Sequence, residues 1–378
     1  MNKHCRLGAG ALLTLWAAAC ATPASPPASP PAAVSPSTAP APAPPALPPA
    51  KIAPGAGAPA AGHYRLLTRL PLGGEGGWDY LTCDSAARRL YVSRGTHVAV
   101  VDVDSGTVVG DVPGMQGVHG IALAPDRRGF TSNGRSSSIT IFDTGTLAVL
   151  GEVKSTGENP DAILYDPASR RVFAFNGRGK SATAIDAAGG TVAGTIPLDG
   201  KPEFAVADGK GRVFVNIEDK NQVTVIDSRG LRVEKSWPIP SCEEPTGLAL
   251  DREHGRLFAV CHNRTMAVLD AETGRSVASL PIGEGVDAAA YDPGTALAFA
   301  SNGDGTLTIV KQDGPDAYHV VENTATQRGA RTMALDEQTH RVFLATAEFG
   351  PPPPATAEQP RPRPPVVPGS FTILVLGP

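Results

Sequence analysis

The sequence predicts an all-β fold assembled from repeated four-stranded units, and three observations predict it. Asp102, Asp143, Asp186, Asp227 and Asp270 each close an apolar segment, at spacings of 41, 43, 41 and 43 residues. A second segment opens each time with arginine, an aliphatic residue and an aromatic one: Arg89-Leu90-Tyr91, Arg171-Val172-Phe173, Arg212-Val213-Phe214, Arg256-Leu257-Phe258 and Arg341-Val342-Phe343. All segments are short, rich in Val, Ile, Phe, Thr and Ala, and bounded by Gly, Asp, Asn or Ser, with no sustained helical period after residue 62. A four-stranded antiparallel sheet of this size cannot bury both faces alone. Packing the sheets radially about an axis buries the faces and protects the edges. The expectation is a β-propeller, and about 42 residues per unit gives seven blades over residues 63–378 once the 20-residue insertion 350–369 is left out.

In chain order, residues 1–20 read as an export signal. Lys3 and Arg6 form a short positive end, Leu7 to Ala19 an apolar run too short to span a bilayer, and Ala17-Ala18-Ala19 precede Cys20. Small residues before a cysteine resemble a bacterial lipobox, which makes Cys20 the expected lipidation site; plain secretory cleavage is the alternative. Residues 21–62 hold 14 of the 37 prolines among Ala and Ser, so they are expected to be a disordered, semi-rigid spacer. Outside residues 1–62 and 350–369 the chain has 28 basic against 36 acidic residues, a charge of −8. That balance argues against nucleic acid as a partner.

Tyr64 to Leu72 resembles the fourth segments Gly190 to Leu198 and Arg275 to Ile282, yet it precedes the first unit. The last unit, ending in Phe371 to Leu376, has no strand after it. The N-terminal segment is therefore expected to close the ring as the outer strand of blade seven. Cys242 and Cys261 flank the turn Asp251 to Gly255, which places them across a hairpin and predicts a disulfide; two separate buried thiols or a metal site are the other readings. Cys83, inside an apolar strand, is expected to be an inert core thiol. The Pro-rich insertion at 350–369 interrupts blade seven between its second and third strands. With Arg361 and Arg363 it is either a lid over one face or an exposed polyproline loop.

The Arg-aliphatic-aromatic segment and the Val-Ile-Asp-x-x-Thr-Gly turn, its first half seen in Val225-Ile226-Asp227 and its second in Asp270 to Thr273-Gly274, resemble the YVTN-repeat, YncE-like propellers of bacteria and archaea over essentially all of residues 64–378. The resemblance implies a seven-bladed, extracytoplasmic ring with no single agreed activity. Its wider relatives include cofactor-bearing and metal-dependent propellers.

Inner strands of a propeller begin at one face, so their first residues line the channel mouth. These read as Asp79, His119, Asp161, Glu203, Thr246, Asp287 and Arg331, joined from neighbouring loops by Asn133, Asn176, Glu218, His262, Asn302 and Glu348. Carboxylates, carboxamides and imidazoles are the ligands of hard and borderline cations, including a divalent metal ion; a merely solvated rim is the other reading. Trp78 is placed near the funnel, for ligand stacking or for the core. His119 is either a funnel ligand or bonded to a neighbouring carboxylate. A Cys-x-x-Cys-His haem motif, a tryptophan in every blade and a Gly-x-Ser-x-Gly elbow are all missing. The expectation is a monomeric, non-enzymatic binding or scaffold module, lipid-anchored in the periplasm or at the outer membrane, with a protein or small-molecule ligand at the funnel face. One alternative is a metal-dependent hydrolase or lyase with His119 as general base. Another is a redox protein carrying a non-covalent cofactor, with His119 or His262 as axial ligand.

Overall fold

The computed structural model describes residues 63–356, 362 and 364–378. The expected signal 1–20 with Cys20, the spacer 21–62, and Arg361 and Arg363 lie outside the described residues.

Seven four-stranded antiparallel sheets form the ring. Blade one is typical, with strands Leu81–Asp84, Arg89–Ser93, Val98–Asp102 and Val108–Val112 running from the axis outward. The other inner strands are Val118–Ala124, Pro160–Asp166, Pro202–Ala207, Pro245–Asp251, Val286–Asp292 and Thr332–Asp336. Blade seven is completed from the other end of the chain: Arg65–Pro71 pairs with Thr372–Gly377, with Leu66 opposite Leu376 and Pro71 opposite Thr372. Tyr64 fastens this junction, since its amide donates to Glu322 Oε1 (2.7 Å), its hydroxyl to the His340 carbonyl (2.8 Å), and its ring meets Phe299 edge-on.

The repeat now has a physical account. Its aromatic is the wedge of each blade: Tyr91, Phe130, Phe173, Phe214, Phe258, Phe299 and Phe343 are all completely buried, each contributing roughly 2 kcal/mol by leaving water. The repeat arginine reaches the next blade. Arg89 donates to the Thr144 carbonyl, Arg171 to those of Ser228 and Arg229 (2.8 and 2.9 Å), Arg212 to Glu272 (2.6 Å) and Arg256 to Asp316 (3.0 Å). The terminal aspartate folds the turn that receives it: Asp143 Oδ1 accepts the amides of Gly145 and Thr146, and Asp270 Oδ1 those of Glu272 and Thr273. Blade six carries Leu297 in place of the arginine, and its junction with blade seven is held by His340 Nδ1 and the buried Asp292 carboxylate at 2.7 Å. Arg88 and Asp336 (2.7 Å) join blade seven to blade one.

In all seven blades the pairing of the outer strand slips by one residue, near its start except in blade six, where the slip is mid-strand and a second one accompanies it. Such bulges bend an exposed edge away from flat pairing.

Cys242 and Cys261 form a disulfide with Cα atoms 5.4 Å apart. The detail differs from the hairpin expectation, because Pro245 sits opposite Cys261 and Cys242 lies in the loop before the strand. Cys83 is half-buried, and burial, reinforced by the Asp336 charge, pushes its thiol up to about 12. The insertion leaves the ring through a short stem, with Phe349 bridged to Val366 and the Gly350 amide donating to the Pro365 carbonyl (2.8 Å).

Removing residues 63–72 strips Leu70 and Tyr64 from the core and should lower the melting temperature by more than about 10 °C in calorimetry. Arg212→Ala, which opens one clasp, should cost only about 1 kcal/mol.

Candidate functional site

Six blades deliver an ionisable side chain to one face of the channel: Asp79, His119, Asp161, Glu203, Asp287 and Arg331. In blades two to six the residue is the second of its inner strand, one place further in than the sequence reading had it. Pairing with the neighbouring strand slips at that point, between Val118 and Ile121, Pro160 and Ile163, Pro202 and Ala205, Pro245 and Leu248, and Val286 and Ala288. A bulge frees the residue from the ladder and re-aims its side chain.

His119 is the centre of contact. Its Nδ1 lies 2.6 Å from Asp79 Oδ2 and 3.6 Å from Asp161 Oδ1. Burial disfavours the imidazolium, but the Asp79 hydrogen bond and the charges of Asp161 and Glu203 outweigh it and hold the ring's pKa at about 9. The other ring nitrogen faces Gly134, where an added Cβ would sit 2.5 Å away. Burial, then repulsion from Asp79 and Asp287, raises Asp161 well above the ordinary carboxylate range. Glu203 is raised by burial and by Asp161, against the pull of Lys201 at 3.0 Å. Burial lifts Asp287 to about 6, although Arg331 lies 3.2 Å from it. Blade five contributes no charge, because Thr246 is buried and its hydroxyl spans the carbonyls of Val260 and Val286.

Two residues that sequence reasoning missed complete the site. Lys201 bridges Glu203 and Glu218. Tyr80 of blade one packs on Phe204 of blade four, ring centroids 5.4 Å apart; these blades are not neighbours, so the contact crosses the channel and floors the funnel. Burial and the charges of Asp161, Glu203, Asp79 and Asp287 all raise the Tyr80 phenol, whose hydroxyl has no hydrogen-bond partner among the described residues. Only the position of Tyr80 beside Asp79 and of Phe204 beside Glu203 hinted at this role.

Other expected site residues lie elsewhere. Asn176 is fully buried inside its blade, donating to Ser181 and Thr183 and accepting from Ser155, so its side chain cannot reach a funnel ligand. Asn133 and Asn302 are locked the same way, onto Thr140 and Thr308. Trp78 takes the core alternative, with its ring against Phe371 (4.9 Å) and Phe349 (6.3 Å), and its edge borders a cleft of about 300 Å³ shared with His119, Arg94 and Arg135. Glu348 is exposed at the stem of the insertion, where its amide and carbonyl bond Ser370 and Val367. His262 lies on the outer rim, bonded to Glu244 at 2.8 Å and close to Glu218.

No family model and no curated protein matches the chain. Solved structures do. A chain of the Kuenenia stuttgartiensis hydrazine synthase matches with a TM-score of 0.63 at 16% identity, over 73% of this chain and 92% of that one. The RRP9 WD40 repeats match with a TM-score of 0.68 at 11% identity, over 85% and 99%. A chain of the mitotic checkpoint complex matches with a TM-score of 0.66 at 13% identity, over 86% and 95%. At such identities the likeness is one of fold, a WD40-like seven-bladed propeller.

The raised groups set the sign of the pH dependence. The stability Asp287 adds is complete below its unfolded value of 3.8 and lost as pH rises through about 6; that of His119 is complete below 6.5 and lost by about 9. Both act in one direction. The melting temperature in chelator-containing buffer should therefore fall between about pH 5 and about pH 9, and fall less in a Glu203→Gln, Asp287→Asn double variant. A flat profile in the parent protein would contradict this account.

Proposed function

We propose that this chain is an exported, lipid-anchored binding protein of the cell envelope, of the YVTN-repeat, YncE-like group, that takes a ligand or protein partner at the funnel face. One observation carries the reading. Charged groups from six blades converge at one end of the channel beside the Tyr80–Phe204 contact, while the arginine clasps and aspartate turns that tie blade to blade lie at the opposite face. A face built for cohesion needs no uncompensated carboxylates; a face that receives a cationic or hydrogen-bonding ligand does.

Export is supported by the Lys3, Arg6 and Leu7 to Ala19 pattern and by the Cys242–Cys261 disulfide, a bond that persists in oxidising compartments. The Arg-aliphatic-aromatic repeat supports the group. A protein partner is supported by analogy alone, one similar fold being part of a checkpoint complex.

The hydrolase alternative cast His119 as a general base. Held at about 9 and bonded to Asp79, it keeps its proton at neutral pH unless a cation displaces it, which does not suit a general base.

A photoreactive residue at Arg178 or Asn263, on the funnel face, should give discrete adducts in cells, and one at Thr107 or Glu253, on the opposite face, should not. Adducts that survive Glu203→Gln with Asp287→Asn, or that come equally from both faces, would sink the reading. Cys20→Ser should move the protein from the membrane to the soluble envelope fraction.

A further inference from the structure

We infer that Asp79, His119 and Asp161 form a site for one divalent transition-metal ion of the zinc and manganese class. The inference rests on the funnel-ligand reading above and names what the funnel holds. The three residues come from three successive blades, and one donor atom of each lies within 4.8 Å of the others.

The hydrogen bonding is the reason a cation belongs there. One imidazole nitrogen, with at most one proton to give, faces two carboxylates at 2.6 and 3.6 Å. No other hydrogen-bond donor reaches either carboxylate among the described residues. Asp161 is half-buried, its side chain 15% exposed, and a carboxylate so placed, with only a shared imidazole as donor, is stabilised by a cation. The Tyr80 hydroxyl, also without a partner among the described residues, lies within the field of the same two carboxylates. The histidine is oriented for the task, because the missing side chain at Gly134 leaves room for the far edge of the ring and keeps Nδ1 on the carboxylate side.

The donor set selects the ion. Zinc binds imidazole nitrogen and carboxylate oxygen at about 2.0–2.2 Å, which needs a modest opening of the His119–Asp79 pair and releases the proton they share to solvent. Calcium takes six to eight oxygens and gains little from an imidazole. Three protein ligands leave positions open to the funnel, where a carboxylate, carbonyl or phosphate of an incoming ligand could bind.

A competing cluster exists on the rim, where Glu218, Glu244 and His262 also present donors within 4.8 Å, but two of its three members are exposed and already solvated by water. The test separates the two. The full-length protein, stripped with chelator and returned to chelator-free buffer, is titrated with Co²⁺, read by its visible d–d absorption, and with Zn²⁺ and Ca²⁺ by calorimetry. One equivalent of Co²⁺ or Zn²⁺ should bind with micromolar or tighter affinity, and Ca²⁺ far more weakly. Asp161→Asn and Asp79→Asn should each weaken Zn²⁺ by more than about tenfold with circular dichroism unchanged, and Gly134→Ala, which displaces the ring and removes no ligand, should shift the Co²⁺ spectrum. Glu244→Gln with His262→Gln should leave affinity and spectrum as they were. Absence of saturable binding up to millimolar metal, or binding lost in the rim variant and kept in Asp161→Asn, would overturn the assignment. If metal fails to bind while the funnel-face adducts persist, this inference falls and the binding reading stands; if metal binds at the three residues and the adducts are absent, the reverse holds.

Discussion

Everything in this molecule depends on the ring being closed. Each blade buries its aromatic wedge only because the next blade lies against it, so a gap anywhere would expose two faces at once. The chain solves this by lending its first strand to its last blade, Arg65–Pro71 beside Thr372–Gly377. The arginine clasps then repeat the same bargain at shorter range, tying the second strands of blades one, three, four and five to the following turn. Cohesion thus sits largely in the apolar wedges and at one face, and the other face is free to carry charged side chains.

Radial symmetry explains why that free face is electrostatically tense. Bulges at equivalent places in successive blades aim equivalent side chains at one axis, and here most of them are acids. Lys201, Arg331 and His119 offset part of the charge, yet burial and mutual repulsion still raise Asp161, Glu203 and Asp287. Substituting threonine in blade five, and flooring the channel with Tyr80 and Phe204, limits the crowding without removing it.

The fold was legible because its determinants are periodic. Arg, aromatic and terminal Asp recur at a spacing set by one blade, and each has a local task that any copy reveals. Where a blade departs from the repeat, the signal fades for a packing reason. Gly129 replaces the aliphatic residue of blade two because the Phe142 ring occupies the space a side chain would need, and blade six trades its arginine for Leu297 and a His340–Asp292 pair from the neighbouring turn. The channel-mouth residues were legible by the same periodicity. Asn176 was misread because a carboxamide at a strand end looks the same in sequence whether it points to solvent or bonds back to Ser181 and Thr183. Tyr80 against Phe204, and Lys201 between two glutamates, join residues that no repeat relates, and only the folded ring brings them together.

The fastening of Tyr64 has a mechanical consequence. A pull arriving through the chain before His63 meets the ring at the end of the one strand whose loss would open it, and an antiparallel edge strand peels readily when its hydrogen bonds are loaded one at a time. Tyr64 stands ahead of the first of those bonds, held by Glu322 of blade six, by the His340 carbonyl of blade seven and by the Phe299 ring between them. Tension is therefore spread over two blades before it reaches the Leu66–Leu376 pair, and the seam of the ring behaves as a bolted joint and not as a zipper.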